Sequence, residues 1–299
     1  MTKMRVTQSM LASNSLKNLS KSYANMGKYQ DQLATGKKIN RPSDDPVVAI
    51  KGMFYRTNLT EVEQYKRNLS EAYTWMENSE SGIEQATQVM QRIRELTVQG
   101  QNGSNSPEDL KAIGVEIKQL KEDLLGVANT QVAGRYIFNG TQTKNPPITT
   151  DTDGNLDFSK MVPTPFEVEV SKGVQLKVNI NPENVFGSEL FNTLQQLENG
   201  LSDGAGNLEN GDDILKQLDS HIDKMLSERA DIGARYNRLE LVDSRLADQE
   251  VIANRILSDN EDADIEKVIT DLTIQESIHR ASLAVGSRII QPTLIDFLR

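Results

Sequence analysis

A seven-residue apolar repeat at each end of the chain is the feature that most restricts how it folds. Near the start, Leu16, Leu19, Tyr23, Met26 and Leu33 recur at alternating three- and four-residue steps, with Gln30 occupying one step. Near the finish, Ile265, Ile269 and Leu272 repeat the pattern, and Ile274, Ile278, Ala281 and Val285 add a second stripe. A narrow apolar seam of this kind must bury against another helix. The two ends therefore pair with each other or with neighbouring copies. That is the pattern of an assembly protein.

Composition narrows the alternatives. Of 299 residues, 37% are hydrophobic and 5% aromatic, lean for a compact enzyme but ordinary for long helices packed through narrow seams. Cysteine is absent, which excludes disulfides, thiol catalysis and cysteine-ligated metals. No apolar run approaches the roughly 20 residues that span a bilayer. Met1–Leu19 lacks the continuous apolar core of a secretory signal, so the chain stays inside or leaves by a route that reads something else. A net charge of −10 argues against nonspecific binding to nucleic acid or anionic membrane. The charge is uneven: residues 1–40 hold seven Lys or Arg against Asp31, while residues 259–299 hold four basic residues and eight acids. Opposite charge favours pairing of the two terminal helices, by tenths of a kcal/mol per exposed pair.

The periodicity predicts a first helix over Ser9–Thr35, stopped by Gly36. GKKINRPSDDP, residues 36–46, is a turn in which Ser43 or Asp44 caps the next helix and Pro46 occupies an early helical position. A long helix follows to Gln99, with its seam at Val62, Tyr65, Leu69, Ala72, Met76, Ser79, Ile83, Ala86, Met90 and Ile93. A third helix starts near Pro107, its seam at Leu110, Ile113, Ile117, Leu120, Leu124 and Val127. At Gly134 the period changes, and Arg135–Phe138, Phe166–Val170 and Val174–Ile180 read as short strands. Helix returns at Leu190, pauses over residues 199–212 and resumes to Leu257, with Arg229, Asp243 and Glu250 interrupting the seam. A last helix runs from Asp262 or Asp264 to Ile290, ended by Gln291-Pro292. The fold class is mainly α: a folded-back coiled-coil rod of long helices from both termini, with a small β-rich module at its distal end. Three divisions follow: a terminal domain of 1–40 and 260–299, a helical rod of 41–133 and 188–259, and a β-rich insert of 134–187.

No chemistry emerges from the remaining motifs. Asp151, Asp153, Asn155 and Asp157 alternate like calcium-loop ligands, but Gly154 sits at the fourth position and Val162 at the twelfth. A plain β-turn between Ile148–Thr150 and Leu156–Phe158 is the better reading. His221 and His279 have no second ligand at metal spacing. Neither a phosphate loop nor a GxSxG elbow is present. The sequence predicts no cofactor, no metal and no catalytic residue.

Met4–Met10 (MRVTQSM) followed by Leu33–Pro46 (LATGKKINRPSDDP) resembles the N-terminal region of the flagellin superfamily. Gln91–Gln99 (QRIRELTVQ), Glu228–Glu240 (ERADIGARYNRLE) and Gln291–Arg299 (QPTLIDFLR) resemble its rod helix, its returning helix and its terminal segment. Within the superfamily, MRVTQSM and NRPSDDP look most like the branch that joins hook to filament; flagellin itself is the alternative. The resemblance implies export unfolded through the flagellar channel, with a chaperone on the C-terminal helix in the cytoplasm. It implies a ring of self-associated subunits, secreted to the bacterial flagellum between the first hook-associated protein and flagellin. Carried over residue by residue, Gly36, Asn40, Pro42, Asp44, Asp45 and Pro46 form the spoke-like turn. Arg92, Arg94, Glu95, Asn237, Arg238 and Leu239 match the rod. Leu294, Ile295, Phe297 and Leu298 form an apolar terminal hook that, with the two seams, would be buried on assembly.

Overall fold

The computed structural model describes residues 8–102, 105–151, 155–202 and 211–290. Among the described residues, seven helices and six short strands follow in order: α1 (Gln8–Thr35), α2 (Pro46–Gly100), α3 (Pro107–Ala128), β1 (Gln131–Val132), β2 (Arg135–Tyr136), β3 (Thr149–Thr150), β4 (Leu156–Asp157), β5 (Glu167–Ser171), β6 (Val174–Lys177), α4 (Pro182–Phe186), α5 (Ser188–Ser202), α6 (Gly211–Glu261) and α7 (Ile265–Ile290). The mainly α class with small strand pairs in the middle is as the sequence predicts. Contacts divide the chain into a terminal unit, 1–61 with 249–299, and a larger unit, 62–248.

In the terminal unit α1 packs along α7. Gly36 ends α1 as expected: it takes φ +68°, and its N–H donates to the Gln32 carbonyl at 2.9 Å. The next turn corrects the expected cap. Asp45, not Ser43 or Asp44, caps α2, its Oδ1 accepting from Val47 N at 3.0 Å and Val48 N at 3.2 Å. Pro46 is the first helical residue, so the capping position falls on the residue before it. Asp44 instead closes the turn, its Oδ2 accepting from Asn40 N at 3.2 Å and Arg41 N at 3.0 Å. Those two amides, Arg41's first, hold its carboxyl below the usual range.

The larger unit is held by one apolar core. Every predicted seam residue of α2 is buried apart from Tyr65, which is half-buried. Each fully buried Leu or Ile contributes roughly 1.5–3 kcal/mol. A capping box starts α3: the Ser106 hydroxyl accepts from Asp109 N at 3.2 Å, and the Asp109 carboxylate accepts from Ser106 N at 3.1 Å. On α6 Ile214 is buried and its neighbour Leu215 half-buried.

The described strands form three antiparallel pairs, β1–β2, β3–β4 and β5–β6. The expected turn at 151–155 is a hairpin, pairing Thr149 with Asp157 and Thr150 with Leu156. Its residues 152–154 lie outside the described residues. β5 and β6 pair Val168 with Leu176 and Glu167 with Lys177, and register shifts between Glu169 and Ser171. Phe166, just before β5, packs against the lone Trp75 of α2 at 5.1 Å between ring centroids. The strands stop short of Phe138 and Ile180, whose side chains are nonetheless buried. The short helix α4 is not foreseen by the periodicity; Asn181 caps it, and Pro182 opens it.

Candidate assembly surfaces

The two terminal seams do meet, but their contact is thin and largely polar. Leu19, Met26 and Leu33 on α1 and Leu272 on α7 are half-buried, whereas Leu16, Tyr23, Ile265 and Ile269 stay exposed. The most buried described side chains of α1 are Ser22 and Gln32. Ser22 Oγ accepts from Gln275 Nε2 at 2.8 Å, and Tyr23 lies 6.2 Å from the His279 ring. Val268 is the one fully buried apolar residue among the described residues of α7.

Helical spacing explains why so much apolar surface remains. Val268, Leu272, Gln275 and His279 follow a three/four step and are sheltered on one side of α7. Ile274, Ile278, Ala281 and Val285 fall on a flank about a third of a turn away and are exposed, Val285 by 56%. A second exposed stripe opens α2: Val47, Ile50 and Phe54, the last 68% exposed. Val251, Ile252 and Ile256 of α6 are exposed as well. Large apolar side chains left exposed in stripes along a helix are what an interaction face is built from.

The rod motif residues make defined contacts within the larger unit. Arg92 reaches Glu116 at 2.9 Å and Glu95 at 3.2 Å, and Arg94 reaches Asp219 at 2.5 Å. Their carboxylate partners, Glu116 and Asp219 first, raise both guanidinium pKa values. Leu239 is buried, whereas Asn237 and Arg238 are exposed. The spoke residues Asn40, Pro42, Asp44 and Pro46 are exposed, and Gly36 and Asp45 are half-buried. Leu294, Ile295, Phe297 and Leu298 lie outside the described residues.

Sequence reasoning missed the most connected members of the returning helix. Glu228 accepts from Asn184 Nδ2 at 2.6 Å and Asn181 N at 3.3 Å. Arg229 reaches Glu80 and Glu84 on α2, which accounts for a charge on the α6 seam. Arg235 donates to the Asn179 carbonyl at 2.9 Å and pairs with Asp231. Tyr236 donates to Glu77 and packs edge-on to Tyr73 at 5.2 Å. The signal was the ERADIGARYNRLE motif itself, of which only Asn237, Arg238 and Leu239 were carried over as rod residues. Burial lowers the His221 pKa in a cavity of about 310 Å³ that it shares with Glu189 and Lys224. Among the described residues no three His, Asp or Glu side chains converge on a metal position.

The pattern of the bacterial flagellin N-terminal helical region matches residues 6–143, and that of the C-terminal helical region matches residues 215–298. The chain belongs to the flagellin family. Flagellar hook-associated protein 3 of Escherichia coli is 24% identical, over 93% of this chain and 95% of that one. A flagellin of Bacillus subtilis is 26% identical, over 94% of this chain and 95% of that one. Among solved structures, flagellar hook-associated protein 3 from Legionella pneumophila superposes with a TM-score of 0.64 at 18% identity, covering 69% of this chain and 98% of that one. FlgL from Bacillus cereus gives 0.57 at 24% identity, covering 69% of this chain and 99% of that one. These likenesses carry the fold.

Proposed function

We propose that the chain is a non-enzymatic structural junction protein of the bacterial flagellum. It forms a ring between the first hook-associated protein and the flagellin filament. The supporting observation is the apolar surface of the terminal unit: α1 and α7 shelter one seam and leave Ile274, Ile278 and Val285 exposed to water. Residues 1–40 and 260–299 serve as the inner assembly domain, 41–133 and 188–259 as the rod, and 134–187 as the insert. Leu16, Leu19, Tyr23, Met26, Leu33, Ile265, Ile269, Leu272, Ile278, Val285, Leu294, Phe297 and Leu298 supply the contacts between copies. A ring requires a heterologous contact, in which one face of a copy meets a different face of the next. Export unfolded, with a cytoplasmic chaperone on the C-terminal helix, keeps these faces covered until the chain reaches the outside of the cell.

A second reading, a self-polymerising flagellin, is favoured by the full-length likeness to the Bacillus subtilis flagellin. Seeded assembly separates the two. Purified protein is incubated alone and with hooks that carry the first hook-associated protein, then followed by negative-stain imaging and sedimentation. Short caps on seeded ends, with monomer otherwise, are expected. Long filaments from the protein alone would make it a flagellin.

A further inference from the structure

The terminal unit has little apolar core, and three of its segments meet instead at one buried carboxylate. Glu261, the last residue of α6, has a side chain only 4% exposed. Its Oε1 accepts from Arg56 Nε at 2.9 Å and its Oε2 from Arg56 Nη2 at 2.8 Å, a two-pronged pair with α2. Lys37 Nζ, from the linker after α1, stands 3.7 Å from Oε2 and 2.7 Å from Asp262 Oδ1. That contact, first among its causes, lowers the Asp262 pKa.

The backbone repeats the connection. Lys38 N donates to the Glu261 carbonyl at 2.6 Å, and Ala263 N donates to the Gly36 carbonyl at 2.9 Å. Together they make an isolated antiparallel bridge between Lys37 and Asp262. Asn260 Nδ2 donates to the Val48 carbonyl at 3.0 Å, and Gln32 Nε2 to the Lys38 carbonyl at 2.6 Å. Gly52 makes the approach of α2 possible. A Cβ built there would stand 3.2 Å from Glu261 Cδ and closer still to Oε1.

We propose that the Glu261 cluster is a charge-held latch that fixes the register of α1 against α7 and opens as a unit when its charge pairing is removed. Apolar seams tolerate slippage because one leucine replaces another, whereas a two-pronged ion pair has one geometry. Ala253 and Val268 are the only fully buried apolar residues described in the terminal unit. The hydrogen bond from Gln275 to Ser22 also ties α1 to α7, but it is neutral and single-pronged. It closes only when segments more than 200 residues apart are both present, so it reports completion of the terminal fold. The latch belongs to the single chain, and its failure leaves the assembly reading untouched.

Hydrogen exchange on the full-length protein tests it, comparing wild type with Glu261→Gln and Gly52→Ala. Both variants are expected to raise exchange about tenfold or more at the Lys38 and Ala263 amides and along α1 and α7. The β5–β6 hairpin should keep its protection. Gly52→Ala is the stricter variant, because alanine strengthens α2 by itself and loosens the latch only by displacing the carboxylate. Exchange within twofold of wild type in both variants would overturn the proposal. So would unprotected amides in the wild type, or loss of protection throughout the molecule.

Discussion

The ring of Phe138 lies directly over Gly82 of α2, so that a Cβ added to the glycine would stand 2.6 Å from the ring's Cζ. Phe138 in turn packs edge-on to Phe186 of α4 at 4.9 Å. The β-rich segment is thus seated on a long helix through a notch that only glycine leaves open. Gly82→Ala places two effects in opposition. Helix propensity favours alanine by about 1 kcal/mol, while overpacking costs about 1–3 kcal/mol. Because Phe138 and Phe186 are fully buried, the ring has nowhere to retreat and overpacking wins. The expected result is a net loss of about 1 kcal/mol, or roughly 2–4 °C in Tm. Gly126 on α3 faces open space, so Gly126→Ala should raise Tm by a similar amount. Calorimetry on both variants checks the opposite signs.

Tyr73 gives the larger unit an alkaline limit. Burial, followed by the nearby charge of Asp243 and Glu240, pushes its pKa from 10.0 up to about 12. The folded state holds the phenolic proton more tightly than the unfolded chain does. The resulting stability is complete below pH 10 and is lost as pH rises from 10 towards about 12. Urea midpoints measured across this window should fall for the wild type and fall less for Tyr73→Phe. Identical slopes would show that Tyr73 is not responsible.

The NRPSDDP turn divides its labour between two neighbouring aspartates. Asp45→Ala removes the acceptor for two first-turn amides of α2 and should cost about 1 kcal/mol. Ser43→Ala, at a position first read as a possible cap, should change stability by less than about 0.5 kcal/mol. Asp44→Ala should leave the helix start intact while freeing the Asn40 and Arg41 amides. Denaturation curves, with exchange at residues 40–48, separate these outcomes.

Most helices were legible because their seams follow the three/four step and their ends carry glycine and proline. Met76, Ile83 and Met90 declare one face of α2, and Gly36 and Pro46 bracket the turn before it. What was not legible depends on partners far away in sequence. Nothing around Glu261 announces a buried carboxylate, since its partner Arg56 is 205 positions away. Arg229 looked like a flaw in the α6 seam until Glu80 and Glu84 of α2 were placed beside it. Helix α4 was hidden because five residues are too few to show a period. The terminal seams were legible as apolar stripes, but not which stripe faces α1.

Two buried asparagines stand in for missing strand neighbours, and they yield the last prediction. Asn179 Oδ1 accepts from Phe166 N at 2.8 Å while its Nδ2 donates to the Thr164 carbonyl at 3.0 Å. Asn139 does the same for Val162 N and the Asn145 carbonyl, each at 2.9 Å. Both are almost wholly buried. Asn179→Ala leaves one donor and one acceptor without partners, at a cost of about 2–4 kcal/mol. Asn179→Asp keeps the acceptor but loses the donor and brings a charge into a buried position, so at pH 7 it should be at least as damaging. A protonated carboxyl restores one O–H donor and one C=O acceptor in the amide's place. The stability gap between Asn179→Asp and wild type should therefore narrow as pH falls, while the gap for Asn179→Ala stays constant. Parallel urea titrations at pH 7 and pH 4.5 on the three proteins read this directly, and two unchanged gaps would mean that Asn179 acts by shape alone.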